Sequence, residues 1–270
     1  MGEVAVAGPI ETTIEIGAMP ILVRTESAEF LQILQKRYAG FINPHATPVF
    51  GFDVDIVEST ENSNGADLSV RRVDGRWVIE RGDLRAEWDA GANRGRIRQT
   101  ANPYSIDAAF RIVHTLLLAT KGSLLVHAAS SIRNGKAYLF AGVSGAGKTT
   151  ISRLAPPDVT HLTDEISYVR KSGEGYVAFG TPFAGELAEP GENVSAPLAA
   201  VYLLQQGPEN RIEPVADAEA VRSILLNILF FAVDEEMVRL VFQAACDLVA
   251  RVPVQRLTFA PDRQVWDLIG

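Results

Sequence analysis

The sequence predicts an α/β protein in which a glycine-loop core with a mixed β-sheet follows a small β-rich amino-terminal module. Three observations carry that prediction. Short alternating segments fill the first hundred residues, Asn134-Gly135 joins two apolar strand-like runs, and Gly142-Val-Ser-Gly-Ala-Gly-Lys-Thr149 stands between the second run and a helix-like stretch. The expected division is a module over residues 1–101 and a core over residues 102–270.

In the module, Thr12–Ile16, Ile21–Arg24 and Gly51–Val57 alternate apolar and polar residues, which is strand periodicity. Ser27–Tyr38 sets Phe30, Leu31, Leu34 and Tyr38 on one helical face. The polar stretch 61–66 predicts an exposed loop. Trp77–Glu80 and Leu84–Trp88 flank Arg81-Gly82-Asp83, a hairpin pattern. No chemistry-bearing cluster stands out here.

The character changes at Asn102-Pro103. Ile106, Ala109, Phe110, Val113, Leu116 and Leu117 recur at helical spacing to about Lys121, and Pro103 suits the first helical position. Strand-like runs Leu124–Arg133 and Lys136–Ala141 follow, joined by the pair that best fits a type I′ turn. The glycine loop is therefore expected to leave the second arm of a hairpin. Thr149–Ala155 reads as a short helix closed by Pro156-Pro157. Beyond a strand from Val159, the pattern predicts a strand at Ala199–Leu204, helices at Ala216–Phe231 and Glu235–Val249, a strand at Val254–Phe259 and a short terminal helix.

Residues 142–149 fill the pattern G-x-x-x-x-G-K-[ST], by which backbone amides wrap nucleotide phosphates. Glycines there admit positive φ and leave no Cβ in the way of an anion. Gly142, Ser144, Gly145, Ala146, Gly147, Lys148, Thr149 and Thr150 are the candidate nucleotide contacts. Lys148 supplies a point charge for the β- and γ-phosphates, Thr149 a hydroxyl for Mg²⁺, and the helix opening at Lys148 its positive dipole end. ATP and Mg²⁺ are the expected cofactors.

Spacing then brings in an acidic pair. A helix of about eight residues rises roughly 12 Å and five strand residues return roughly 17 Å, so Asp164 and Glu165 are expected beside Lys148 and Thr149. Phosphoryl transfer needs a metal ligand, a group that orients or deprotonates the acceptor, and cover from water. Adjacent carboxylates can serve the first two needs. If the hairpin closes at Asn134-Gly135, His127 lies opposite the exit of the loop strand. Thr181 and Glu186, in the glycine- and proline-rich segment 181–186, are candidates for a flap over the acceptor.

Leu125-Val-His127, the hairpin, the glycine loop and Thr163-Asp-Glu165 together resemble the core of the HPr kinase/phosphorylase family, whose fold is similar to that of phosphoenolpyruvate carboxykinases. The likeness covers roughly Leu124–Val169, and more loosely continues through 180–186 and 252–257. It implies ATP on the loop, Mg²⁺ on Thr149, Asp164 as general base, Glu165 at the metal, and a functional histidine at 127. The family usually carries two aspartates where this chain has Asp164 and Glu165. The segment E-[IV]-R-G-x-G-I-I expected after the acidic pair of true HPr kinases is missing, and with it the basis for phosphorylase activity or HPr recognition.

Shortened members of this kind resemble enzymes of peptide-modification clusters, including lasso-peptide pathways. The resemblance thus implies an ATP- and Mg²⁺-dependent kinase acting on a serine-type hydroxyl of a peptide or small protein. Alternatives are HPr kinase proper, a P-loop ATPase or switch in which Asp164-Glu165 is a Walker-B-like pair and Glu165 activates water, and a nucleotide-binding pseudoenzyme. True HPr kinases form rings, but no residue here specifies a homo-oligomer interface.

Composition narrows the partners. The chain has 270 residues, 47% hydrophobic and 21% charged, with net charge −8 and no basic run, so a nucleic-acid surface is not expected. The longest apolar stretch, Ile224–Val233, is interrupted by Asn227 and is too short for a bilayer. The start Met1-Gly-Glu-Val lacks a basic, then apolar, signal pattern, and cytoplasm is the expected compartment. Cys246, the sole cysteine, excludes an intrachain disulfide.

Overall fold

The computed structural model describes residues 8–58 and 67–270. The segment 61–66, expected as a loop, lies outside the described residues. Among these residues the chain is mixed α/β, with one seven-stranded and one eight-stranded sheet, each containing parallel and antiparallel pairs.

The first sheet is built from β1 (Ile10–Ile16), β2 (Met19–Thr25), β3 (Phe50–Ile56), β4 (Ser69–Val73), β5 (Arg76–Arg81), β6 (Leu84–Asp89) and β7 (Arg94–Gln99), in the order β1-β2-β3-β7-β6-β5-β4. Strand β3 runs parallel to both neighbours, β2 and β7; the other pairs are antiparallel. Helix α1 (Ala28–Arg37) starts at Ser27, whose Oγ accepts from Phe30 N at 3.1 Å, and buries Phe30 and Leu34. Such a cap is worth about 1 kcal/mol. Strands β4 and β7 were not expected from the pattern. In β7 the arginines at 94, 96 and 98 are exposed, and the inward face carries only Gly95, Ile97 and Gln99.

After α2 (Pro103–Ala119) come β8 (Leu124–Arg133), β9 (Lys136–Ala141), α3 (Lys148–Arg153), β10 (Thr160–Thr163), β11 (Ile166–Ser172), β12 (Gly175–Phe179), β13 (Ser195–Gln206), β14 (Arg211–Pro214), α4 (Asp217–Asn227), α5 (Glu235–Arg251) and β15 (Val254–Phe259). The chain forms two compact units, one running to Val113 with Phe231–Asp234, the other comprising His114–Phe230 and Glu235–Gly270. The division falls within α2 rather than ahead of it at 101/102.

In the second unit β8 and β9 form the expected hairpin. Asn134 (φ 51°) and Gly135 (φ 72°) both take the left-handed region that a type I′ turn requires. Strand β13 is parallel to β9 on one side and to β15 on another, so the ends of these three strands point the same way. On its other edge β8 pairs with β10 and then with β11, both antiparallel. Beneath the parallel strands Phe140, Ile151, Tyr202, Leu257, Phe259 and Trp266 form one buried cluster. Each large side chain there contributes about 1.5–3 kcal/mol of transfer free energy. Trp266 Nε1 donates to Ile151 O at 3.1 Å and so ties the terminal 3₁₀ turn (Arg263–Leu268) to α3.

Helix α4 ends at Asn227, short of the expected Phe231. Asn227 Nδ2 donates to Ser223 O at 2.8 Å, and the chain then turns extended, with Ile228 bridging Val126 and Leu229 N donating to Leu125 O at 2.9 Å. Pairing with β8 overrides the helical pattern of the apolar run. No helix among the described residues is long and apolar enough to cross a membrane.

Candidate functional site

The glycine loop leaves β9 at Ala141 and enters α3 at Lys148, as the local sequence requires. Gly145 (φ 80°) and Gly147 (φ 110°) hold backbone conformations that a side chain would strain. At Gly142 the constraint is space instead, since a Cβ would lie 2.6 Å from that of Ala146. Gly147 rests on the end of β15, where a Cβ would lie 2.6 Å from the ring of Phe259. Ala146 packs on the same buried cluster as Phe259.

A cleft of about 520 Å³ opens beside this loop. It is lined by Ser144, Gly145, Gly147, Lys148, Thr149 and Thr150 from the loop side, His127 from β8, Asp164 and Glu165, the segment Ala184-Gly185-Glu186, and Gln206. The structure thus gathers ten of the residues singled out from the sequence around one space. Gly142 and Ala146 do not line the cleft. Their tight approach and the Ala146 N to Val143 O bond of 3.0 Å close the loop on itself.

Strand β8 explains why His127 and the acids meet. Ala128 pairs with Ala141, so His127 is in register with the first residue of the loop. On the other edge His127 pairs with Ile166, next to Glu165. Between the pairs Thr163–Ser130 and Ile166–His127 the ladder is interrupted by Asp164 and Glu165. Thr163 Oγ1 supports that break by accepting from Glu165 N and Ile166 N, each at 3.1 Å.

Lys148 Nζ donates to Gly142 O at 2.8 Å and, more weakly, to Val143 O at 3.4 Å. Burial lowers its pKa, against the pull of the nearby Glu165 and Glu186 carboxylates, which favour the charged form. His127 is also held below the usual imidazole value, first by burial and then by the Lys148 ammonium. Both influences favour the uncharged imidazole.

Asp164 is 3% exposed, and both its oxygens accept backbone N–H groups, Oδ1 from Gly185 and Oδ2 from Leu187, each at 2.8 Å. Gly185 permits that approach, because a Cβ there would stand 2.8 Å from Oδ2. Ala188 N donates to Gly185 O at 3.1 Å, closing a turn with Glu186 at its exposed tip. Ala188 follows at φ 57°, a conformation costing roughly 1–2 kcal/mol for an L-residue.

The structure does not bring Thr181 to the cleft. It is fully buried and its hydroxyl donates to Ile166 O at 3.0 Å, while its amide donates to Leu162 O at 3.1 Å. It anchors the start of the segment that presents Glu186 and is not placed to touch an acceptor. Gln206, by contrast, was missed. Its Nε2 donates to Gly145 O at 2.6 Å from the end of β13. The signal is the strand order, since ligands gather at the carboxyl ends of parallel strands, and that order is not local to the sequence.

Among the described residues no group of three His, Cys, Asp or Glu side chains is arranged to hold a metal ion. The donor set beside the loop fits a cation that brings its other ligands with it. Mg²⁺ at nucleotide sites usually takes one or two protein oxygens together with phosphate oxygens and waters, and the Thr149 hydroxyl with the Glu165 carboxylate, both lining the cleft, would offer two.

Residues 98–270 match a protein-family model described as "SynChlorMet cassette protein ScmC". No curated protein matches the chain. Among solved structures, the HPr(Ser) kinase/phosphatase from Coxiella burnetii is similar over 53% of this chain and 90% of that chain, at 8% identity and a TM-score of 0.28, a weak overall likeness.

Proposed function

The chain belongs to the ScmC family of SynChlorMet cassette proteins, and from that footing we propose that it is an ATP- and Mg²⁺-dependent kinase that phosphorylates a serine-type hydroxyl on a peptide or small protein. The family's description names no reaction, so the reading rests on the cleft. What supports it is one convergence: a phosphate-type glycine loop with its lysine, two adjacent carboxylates and a neutral histidine all face the same space of about 520 Å³.

In this reading the amides of residues 144–149 and the Lys148 ammonium bind the β- and γ-phosphates of ATP. Thr149 Oγ1 and the Glu165 carboxylate would hold Mg²⁺, which when bound neutralises charge on the phosphates. A cleft carboxylate accepts the proton of the acceptor hydroxyl as its oxygen forms a bond to the γ-phosphorus. The bond from that phosphorus to the β–γ bridging oxygen breaks, and ADP leaves with the electron pair. Lys148 stabilises the charge that develops, and His127, neutral and in register with the loop's first residue, places the terminal phosphate.

The peptide acceptor is taken from the resemblance of the loop and the acidic pair to shortened HPr-kinase-like members. Incubation with γ-labelled ATP, Mg²⁺ and serine-containing peptides encoded nearby, with HPr in parallel, tests the reading. Transfer of label to a peptide is the expected result. ATP hydrolysis at a substantial rate with no acceptor labelled would replace it with the ATPase reading.

A further inference from the structure

Resting on that reading, we infer that Asp164 is a positioning residue and that the acceptor-side carboxylate of the cleft is Glu186, which Asp164 sets in place. Asp164 is the buried member of the acidic pair, and each of its oxygens is held by a backbone N–H, from Gly185 and from Leu187. These two amides bracket Glu186. A carboxylate engaged this way, with one backbone N–H on each oxygen, is the strap of a turn.

Three further features fit a strap. The missing side chain at Gly185 is what lets the turn come down on Asp164, since a Cβ would stand 2.8 Å from Oδ2 and 3.0 Å from Glu165 Cβ. The turn is closed by Ala188 N to Gly185 O, and that closing alanine is itself left-handed, so the turn's shape is specified beyond what the sequence prefers. Both ends of the surrounding segment are bolted to β10: Thr181 N donates to Leu162 O at 3.1 Å and Glu192 N to His161 O at 3.0 Å. At Gly180 and Gly191 a Cβ would meet the backbone of Glu192 at 1.7 Å and of Leu162 at 1.6 Å.

Glu186 alone of this turn carries a carboxylate into the cleft, and its charge reaches Lys148. With Glu165 and Thr149 on the metal side, Glu186 is the group left to face the acceptor. Its Oε takes the hydroxyl proton as the new phosphorus–oxygen bond forms.

The test uses the full chain with Asp164→Asn, Gly185→Ala and Glu186→Gln, read by amide hydrogen exchange and by the pH profile of kcat/KM. Asparagine at 164 sets an NH₂ donor against one of the two backbone amides. Exchange at Gly185 and Leu187 should quicken about tenfold or more, with acceptor KM rising more than kcat falls and the acid limb of the profile kept. Gly185→Ala retains every carboxylate and should reproduce the exchange and KM effects, which covers the case of an Asp164 variant that does not fold. Glu186→Gln should leave amide protection unchanged, abolish the acid limb and lower kcat by about 10² or more. Unchanged exchange in both Asp164→Asn and Gly185→Ala overturns the strap. Loss of the acid limb in Asp164→Asn, with its retention in Glu186→Gln, returns the proton to Asp164 and overturns the assignment. If the unaltered chain labels no acceptor, the kinase reading and Glu186's part in it fall together, while the exchange data still decide the strap.

Discussion

Lys148 Nζ donates a 2.8 Å hydrogen bond to the carbonyl of Gly142, so the ammonium is drawn across the mouth of the loop that it ends. Its position is fixed from within the loop, while the charges of Glu165 and Glu186, which line the same cleft, act on it. Replacement by alanine removes the loop closure and, in the proposed reading, the charge that would face the phosphates. Lys148→Ala should lower phosphoryl transfer by about 10² to 10³. Steady-state turnover with a labelled acceptor peptide checks this, and near-normal turnover would contradict the role.

Gly147 couples that loop to the core. Its φ of 110° and the 2.6 Å that would separate a Cβ from the buried Phe259 ring leave no tolerated side chain. Gly147→Ala should destabilise the fold by about 1–3 kcal/mol and also weaken nucleotide binding. Double substitution with Phe259→Leu, which removes the facing ring edge, should recover part of the stability in urea denaturation. An alanine variant as stable as the parent would show that the loop is not seated on β15.

Gln206 reaches the loop from a neighbouring strand through its 2.6 Å bond to Gly145 O. Gln206→Ala removes about 1 kcal/mol of loop support, which should appear as a several-fold weaker nucleotide affinity with kcat little changed. Gln206→Glu should be worse, because it loses the donor and adds a negative charge to the cleft proposed to hold the phosphates. Equal affinity across the three proteins would exclude Gln206 from the site.

The legible parts were those whose signal is local. The hairpin turn at Asn134-Gly135, the glycine loop and the return of the chain to Asp164-Glu165 are each written in consecutive residues, and so was the register that brings His127 to the loop. Strand β7 was not legible because its exposed face is entirely arginine and only Ile97 marks the buried side. Strands β11 and β12 escaped because their pairing depends on β8 and β13, which are distant in sequence. The run 228–231 looked helical, yet in the fold Ile228 and Leu229 satisfy the edge of β8. Thr181 looked like a flap residue from its neighbours, and only the tertiary bonds to Ile166 and Leu162 show it to be an anchor. Its hydroxyl has no path to the cleft.

Acid should destabilise the second unit through His114. Burial, and secondarily Arg170, depress its pKa to about 3, and its Nδ1 lies 2.5 Å from the Tyr168 hydroxyl. The unfolded chain binds a proton near pH 6.5, and the folded one does so only near the lower value. The neutral form therefore contributes stability above about pH 6.5, and that contribution drains away as pH falls toward about 3, at up to about 1.4 kcal/mol per pH unit. His127 and His161, both lowered chiefly by burial, act with the same sign. His114→Gln should flatten the fall of Tm with acid. An unchanged pH dependence in that variant would place the titrating groups elsewhere.

In the proposed function the cleft beside residues 142–149 binds a nucleoside triphosphate with magnesium. Calorimetric titration of Mg–ATP into the full chain tests it most directly: saturable one-to-one binding that Lys148→Ala weakens by an order of magnitude or more is the predicted result. No measurable heat of binding, or equal binding by the parent and Lys148→Ala, would contradict it.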